Sequence, residues 1–437
     1  HQSGLQHMSN LSDLLPAGAG AKVITATASG NLATGQTVAL QSDGTVIAIS
    51  VAAAGLGSEV VFESGNTQQI GMTYDTTNDK VVIVYRDSSN SDYGTAVVGT
   101  VSGKTISFGT PVVYESASTE YHSAAFDSTN QKVVVCYRDG GNSNYGTGIV
   151  GTVSGTSISF GSAAVFESGI TTYSNVAFDS ANGKAVISYV DGNDGDKGKA
   201  VVGTVSGTSI SFGSPVTFNN SNTVYAPITF DSNAGKVVIA FRDGGNSNYG
   251  TAIVGTVSGT SISFGSEAVF ESARSEYMGI GFDSTNNKVV VGYSDDGNSS
   301  YATAVVGTVS GTSISFGTPV VAASSNSEYI NVVHNIAANH MFYTFMSISN
   351  SNYGAYLIGT VSGTSISFTS IAFFNSARSD YIYSVYDPDQ EAVVITYSDD
   401  GNSDYGTAIV YQDQTSNSNN FVGITNQAIN NSASGEV

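Results

Sequence analysis

Tryptophan is absent from this 437-residue chain, cysteine occurs once and proline six times. Leucine, among the strongest helix formers, occurs only eight times. Charged residues make up 11%, against roughly 25% in an average soluble domain. A helical bundle is thereby excluded, and an α/β enzyme is disfavoured. No apolar run approaches the ~18 residues of a membrane-spanning helix. The single Cys136 can form no internal disulfide, and its run Val133-Val134-Val135-Cys136-Tyr137 marks it as a buried filler rather than a nucleophile. Basic residues are also scarce: 14 Lys and Arg stand against 35 Asp and Glu, a formal charge of -21. Such a surface repels polyanions, so neither a nucleic-acid partner nor membrane insertion is expected.

What is present is strand chemistry. Val, Ile and Thr are frequent, with 24 Tyr, 20 Phe and 50 Gly. Apolar content of 40% is too high for a disordered chain. The phrase Gly-Thr-Val-Ser-Gly begins at Gly99, Gly151, Gly203, Gly255, Gly307 and Gly359, always 52 residues apart. An aromatic marker keeps the same period at Tyr85, Tyr137, Tyr189, Phe241, Tyr293, Phe345 and Tyr397. Seven units follow, and a fixed period of this size means a propeller, a solenoid or a bead array.

The interior of one unit selects among them. Residues 121–126 read as a first strand, A, and Asp127-Ser128-Thr129-Asn130 as a tight turn. Residues 132–137 read as strand B, 139–144 as a loop, 146–153 as strand C, and 157–166 as strand D after a second tight turn. Four short strands per ~50 residues, joined by Gly, Asn, Asp and Ser turns, form the blade of a propeller. Strand D alternates polar and apolar residues, as a half-exposed outer strand does. Strand B is continuously apolar, as expected when neighbouring blades cover both faces. Strand A carries small residues such as Ser123, Ala124, Gly279 and Gly281, which suit a crowded axis. Pro227 fits there as an inner sheet edge.

The fold class is therefore all-β: a seven-bladed β-propeller of four-stranded antiparallel blades over residues 58–412. The last unit lacks an outer strand, while Ser58-Glu59-Val60-Val61-Phe62-Glu63-Ser64 is a spare one that matches Ser266–Ser272. The expectation is closure by this N-terminal strand, which removes two exposed sheet edges. Residues 1–8 read as an expression remnant, and 9–57 as a flank with a hairpin around Asp43-Gly44. Residues 413–437 read as a polar flank that stops as a fragment would.

On one face lie the D–A crossovers and the B–C loops; on the other lie the A–B and C–D turns, which are short and monotonous. The crossover face offers carboxylates, amides, Arg and Tyr on rigid strands, as sugar hydroxyls and ring faces require. Candidate ligand-binding residues are Glu115, Tyr121, Arg138, Asp139, Asn142 and Tyr145, with Arg242, Asp243, Asn246, Tyr249, Glu271 and Tyr277 as counterparts in other units. The competing reading is that Asp and Asn cap their own loops and Tyr fills the blade interface. Asp191, Asp194 and Asp196 gather oxygen ligands, but without the full spacing of a calcium loop. Calcium is thus a weak candidate beside a solvated turn, and no other cofactor is expected. The sixth unit departs most, with His334, His340, Met341, Met346 and Ser347. No catalytic set is legible: the recurring Arg86, Arg138 and Arg242 sit in different units, and Val190, Ser294, Met346 and Ser398 replace them elsewhere.

The string Asn-Ser-Asn-Tyr-Gly-Thr-Ala-Ile-Val-Gly-Thr-Val-Ser-Gly-Thr-Ser-Ile-Ser-Phe-Gly at 246–265 resembles repeats in tail-fibre or tail-appendage proteins of marine bacteriophages. Leu14-Leu15-Pro16-Ala17-Gly18-Ala19-Gly20 and Asn420-Phe421-Val422-Gly423 resemble flanks in the same proteins. The resemblance implies an extracellular, virion-surface protein that contacts other tail proteins and a host cell-surface glycan. It supplies no catalytic residue. A purely structural disc and a polysaccharide-degrading enzyme remain the alternatives.

Overall fold

A computed structural model describes residues 25–35, 37–40, 44–48, 51–413, 415–416, 421–424 and 434–436. The first eight residues, the Leu14–Gly20 segment, Asp43 and Asn420 lie outside them. Two compact units emerge: residues 56–412, and residues 1–55 together with 413–437.

The larger unit is a ring of seven antiparallel blades without α-helix among the described residues. In blade 2, strand A is the second half of Val112–Asp127, B is Lys132–Asp139 and C is Tyr145–Ser154. Strand D comes in two pieces: Ser157–Phe160, then the first half of Ala164–Asp179. The second half of that long strand pairs with Lys184–Asp191 and so begins blade 3. The order A to D from axis to rim is as the chemistry of the strands predicts. Val133 to Tyr137 of strand B in blade 2, Cys136 included, are buried, and the Ser-Ile-Ser-Phe strand buries only its Ile. Gly279 of strand A shows the crowding: a Cβ there would lie 2.6 Å from the Ile330 carbonyl of the next blade. In blade 4 the long strand is interrupted between Val216–Val224 and Ile228–Asp231, where Pro227 lacks an N–H. The Pro227 carbonyl nonetheless accepts from the Ala240 amide at 3.0 Å.

The A–B turns are built by local capping. Asp127 accepts from the Thr129 and Asn130 amides at 3.0 and 2.9 Å, and its other oxygen accepts from Asn130 Nδ2 at 2.8 Å. Asx capping of this kind explains why the A–B turns repeat so closely.

The ring closes through the N-terminal side. Val60–Asp75 pairs by its first half with Tyr405–Gln412 of blade 7, setting Val60 opposite Ala408 and Asn66 opposite Tyr405. The Gly57 amide donates to the Val410 carbonyl at 2.8 Å. A glycine at this tip is a steric necessity. A Cβ on Gly57 would sit 1.7 Å from the Lys104 carbonyl oxygen of blade 1, and one on Gly109 would sit 1.8 Å from that of Thr156 in blade 2. The same contact recurs at Gly161, Gly213, Gly265 and Gly317. Blade 6 has Thr369 at the equivalent position.

In the smaller unit, Thr25–Thr27 pairs with Ser434–Glu436, and Val51–Ala52 with Thr415–Ser416. Thr37–Leu40 pairs with both Val46–Ala48 and Phe421–Ile424. Ala28, Leu32, Val38 and Val46 form its small core.

Removing residues 1–64 should leave strand C of blade 7 with a bare edge, which invites pairing between chains. Light scattering and thermal melts are expected to show association and a lower Tm; a monomeric truncation with an unchanged Tm would refute closure by this strand.

Candidate functional site

On the crossover face, each long strand carries a register shift where it passes from one blade to the next. In blade 2 it falls between Glu120 and Ser123. The residue that begins the shift has positive φ in all seven blades: Gln69 (54°), Tyr121 (54°), Tyr173 (51°), Tyr225 (58°), Tyr277 (48°), Tyr329 (51°) and Tyr381 (52°). A left-handed backbone at tyrosine costs of order 1 kcal/mol or more. Bulges of this kind re-aim a side chain. Here they aim six tyrosines and one glutamine at a common mouth on the ring axis.

The tyrosines form a chain of contacts. Centroids are 5.2 Å apart for Tyr121 and Tyr173, 5.1 Å for Tyr173 and Tyr225, and 5.8 Å for Tyr225 and Tyr277. The series continues at 5.9 Å to Tyr329 and 5.3 Å to Tyr381. Gln69 closes the circle, its Oε1 accepting from the Tyr121 amide at 3.1 Å. The cavity behind the mouth has a volume of about 490 Å³, with His122, Ser123, Asn175 and Asn331 among its lining.

Charged pairs surround the mouth. Arg138 pairs with Glu120 and lies 5.0 Å from the Tyr121 ring centroid. Glu120 is shared with Arg86, at 3.3 Å, and Arg86 also holds Asp92 at 2.8 Å. Arg242 pairs with Glu276 and lies 5.9 Å from the Tyr225 centroid. Arg274 pairs with Glu276 and, at 3.3 Å, with Asp296; Arg378 pairs with Asp380 at 2.9 Å.

Other candidates stand elsewhere. Glu115 accepts from the Tyr137 hydroxyl at 3.1 Å and Glu271 from that of Tyr293 at 3.0 Å. Tyr85 with Glu63 (2.9 Å) and Tyr189 with Glu167 (2.8 Å) repeat the bond. Each joins strand D of one blade to strand B of the next. Where strand B has Phe241, the partner position holds Asn219, which donates to Asp243 at 3.2 Å. Burial raises the Glu115 carboxyl above its usual range, against the lowering effect of the tyrosine bond. Asp139 is buried and accepts from the Gly141 and Asn142 amides at 2.9 and 3.1 Å; Asp243 likewise accepts from Gly245 at 2.9 Å. Asn142 and Asn246 are exposed on those loops. Tyr145 and Tyr249 face the outer strand, opposite Ile170 and Arg274. The structure thus brings together Tyr121, Tyr277, Arg138 and Arg242 around the axis, and places the remaining candidates further out or in the framework. Sequence reasoning reaches Tyr173, Tyr225, Tyr329 and Tyr381 only as period counterparts of Tyr121 and does not single out Gln69 or His122. The recurrence of Tyr at the 52-residue spacing was available as a signal; the convergence of those positions was not.

The acidic loop of blade 3 is occupied by lysine. Lys199 Nζ lies 2.6 Å from Asp191 and 3.0 Å from Asp194, and Lys197 lies 3.0 Å from Asp194. These ammoniums hold the Asp194 carboxyl below its usual range. Asp196 accepts instead from Asn222 Nδ2 at 3.1 Å. Among the described residues no group of three or more His, Cys, Asp or Glu is placed to hold a metal ion. His334 accepts from the Ser284 amide at 3.2 Å and faces Asp283 at 3.3 Å. The cysteine is inert, burial pushing its thiol far up.

No family model and no curated protein matches the sequence. Among solved structures, the chain is similar to the BP39L lectin from Burkholderia pseudomallei, with 9% identity and a TM-score of 0.57 over 82% of this chain and 100% of that one. It is also similar to a chain of the mitotic checkpoint complex, with 10% identity and a TM-score of 0.54 over 82% and 94%. The intramolecular trans-sialidase from Ruminococcus gnavus follows at 11% identity and a TM-score of 0.48, over 81% and 97%. The first two likenesses agree with the ring of blades described above: the fold is a β-propeller.

Two predictions test the site's framework. Tyr137→Phe removes the donor to half-buried Glu115 and should cost about 1–3 kcal/mol in urea unfolding. Adding Glu115→Asn, which copies the Phe241–Asn219 pair, should recover most of it; equal loss in both variants would contradict the clamp. The second concerns His122, whose imidazole burial pushes down to about 3. The folded chain therefore refuses a proton that the unfolded chain binds below about 6.5. The stability held by neutral His122 is complete above that pH and declines, by up to about 1.4 kcal/mol per pH unit, as pH falls from 6.5 toward 3. His122→Ile, the residue at Ile70, Ile330 and Ile382, should flatten the fall in Tm between pH 7 and 5. An unchanged acid slope would show that His122 does not set it.

Proposed function

We propose that the propeller is a non-enzymatic carbohydrate-recognition module, that its crossover face is the binding face, and that it serves as an adhesin on a virion tail. The observation that carries the reading is the circle of Gln69 and six tyrosines held at positive φ around the axial mouth. Strained residues of this kind cluster at functional sites, and amphipathic rings beside polar groups suit sugars, which have apolar faces and hydroxyl edges. The lectin named above supports the class of ligand by its fold. The repeat phrases at 246–265 support the virion setting, with a host cell-surface glycan and other tail proteins as partners and an extracellular location.

An enzymatic reading is less well supported. Glycoside hydrolysis needs one carboxylic acid and one carboxylate flanking the bond. The mouth's Glu120, Glu276 and Asp380 sit in different blades, each engaged by arginine, and burial raises the Asp380 carboxyl above its usual range against the lowering effect of Arg378. No calcium or other cofactor is invoked.

A glycan array probed with multivalent protein tests the proposal. Binding to a defined set of glycans is expected, with the signal for Tyr121→Ala/Tyr277→Ala reduced by about tenfold or more, equivalent to ~1.4 kcal/mol. No glycan bound by the multivalent protein would favour the structural-disc alternative. Release of reducing ends from capsule or lipopolysaccharide would establish an enzyme instead.

A further inference from the structure

Resting on that carbohydrate reading, we infer that the ligand is the end of one uncharged sugar chain, inserted at the ring axis, with a single site per propeller.

The sequence alone suggests several equivalent sites, one per blade. The structure removes much of what such sites would use. Glu115 and Glu271 are held by tyrosine hydroxyls of the next blade, and Asp139 and Asp243 by amides of their own loops. The repeated aromatic groups on this face instead converge on the axis, and one axis gives one site. Its cavity of about 490 Å³ falls in the roughly 300–1,000 Å³ range of small-molecule pockets. Six tyrosines at the mouth offer ring faces and edges to a pyranose.

The lining is not seven-fold symmetric. Gln69 puts an amide where the other blades have phenol. Beneath it His122 replaces the aliphatic residues Ile70, Ile330 and Ile382, and it is buried with at least one ring nitrogen lacking a hydrogen-bond partner. Tyr383 of blade 7 and Ser123 of blade 2 line the same cavity. A lining that differs from blade to blade, with Asn175 and Asn331 as further polar groups, gives a sugar one preferred orientation.

The charge is read from the arginines. All five in the chain, Arg86, Arg138, Arg242, Arg274 and Arg378, are on this face, and each is paired with a carboxylate. A sialic or uronic acid would have to displace one of those partners to gain a cation, against a net charge of -21. The same pairing neutralises Glu120, Glu276 and Asp380; Glu328, the equivalent carboxylate of blade 6, stands opposite Met346 rather than an arginine. An uncharged ligand need displace none of these ion pairs.

The test is calorimetric titration of the full chain with maltotriose and chitotriose, with 3′-sialyllactose and trigalacturonate as anionic probes, with choline as a cationic one, and with the strongest array hit. Expected is an uncharged saccharide bound at one per chain, weakened at least tenfold by Tyr173→Gln. That variant copies Gln69, a residue the ring already accommodates at positive φ. Asn142→Ala and Tyr145→Phe probe the periphery. Loss of binding there with Tyr173→Gln unaffected, a stoichiometry above one, or an anionic or cationic probe bound at least as tightly as every uncharged one would overturn the axial, uncharged assignment while leaving carbohydrate recognition standing. A blank array with every saccharide silent would remove both.

Discussion

Each blade is tied to the next by one strand that belongs to both. Val112–Asp127 is the outer edge of blade 1 in its first half and the inner edge of blade 2 in its second. A single strand can do this only if it changes direction and register between its halves, and the left-handed residue at the crossover is where it does so. Tyr121 is thus both hinge of the chain path and wall of the axial mouth. The inter-blade Tyr137–Glu115 bond and the contact of Gly109 with Thr156 brace the same joint at other radii. Closure by residues 56–66 lets blade 7 obey the rule that the other six obey along the chain.

Much of this was legible because the period is fixed. Strand order followed from burial chemistry: continuous apolar character in B, alternation in D and small residues in A are each a response to a different neighbour. The missing outer strand could be matched to Ser58–Ser64 by its wording alone. The site was less legible. A repeat identifies equivalent positions but not which of them approach one another, since that depends on radius and on where each side chain is aimed. Asp139 and Tyr121 recur equally well in sequence. One caps a loop and the other reaches the axis, and the bulge that separates their fates has no residue signature of its own when tyrosine, rather than glycine, occupies the left-handed position. Co-variation alone does not reveal the Tyr–Glu clamp: Asn219 replaces Glu where Phe241 replaces Tyr, but Asn375 stands at the Glu position where Tyr397 is kept. Reading it required knowing that strand D of one blade faces strand B of the next.

Departures from the repeat carry separate information. Some are local to the framework: Pro227 is accommodated at an inner edge. Gln69, His122, Ser123 and Tyr383 answer to no such requirement, yet they gather on one side of the axial cavity. A structural disc has no use for a differentiated lining, whereas a site that must orient one ligand does.

Energy also distinguishes the tyrosine circle from ordinary framework. Left-handed backbone costs of order 1 kcal/mol at each tyrosine. Each aromatic contact between neighbouring blades returns about 0.5–1.5 kcal/mol beyond its burial. The two nearly offset, so the aromatic contacts add little to the propeller beyond what the buried B strands already supply. Glycine would relieve the strain and leave the bulge intact. A feature repeated six times at almost no net gain to stability, aimed into a cavity and open at its mouth, has the energetic character of a preorganised binding surface: its rings are already fixed, and little further ordering is needed when a ligand enters.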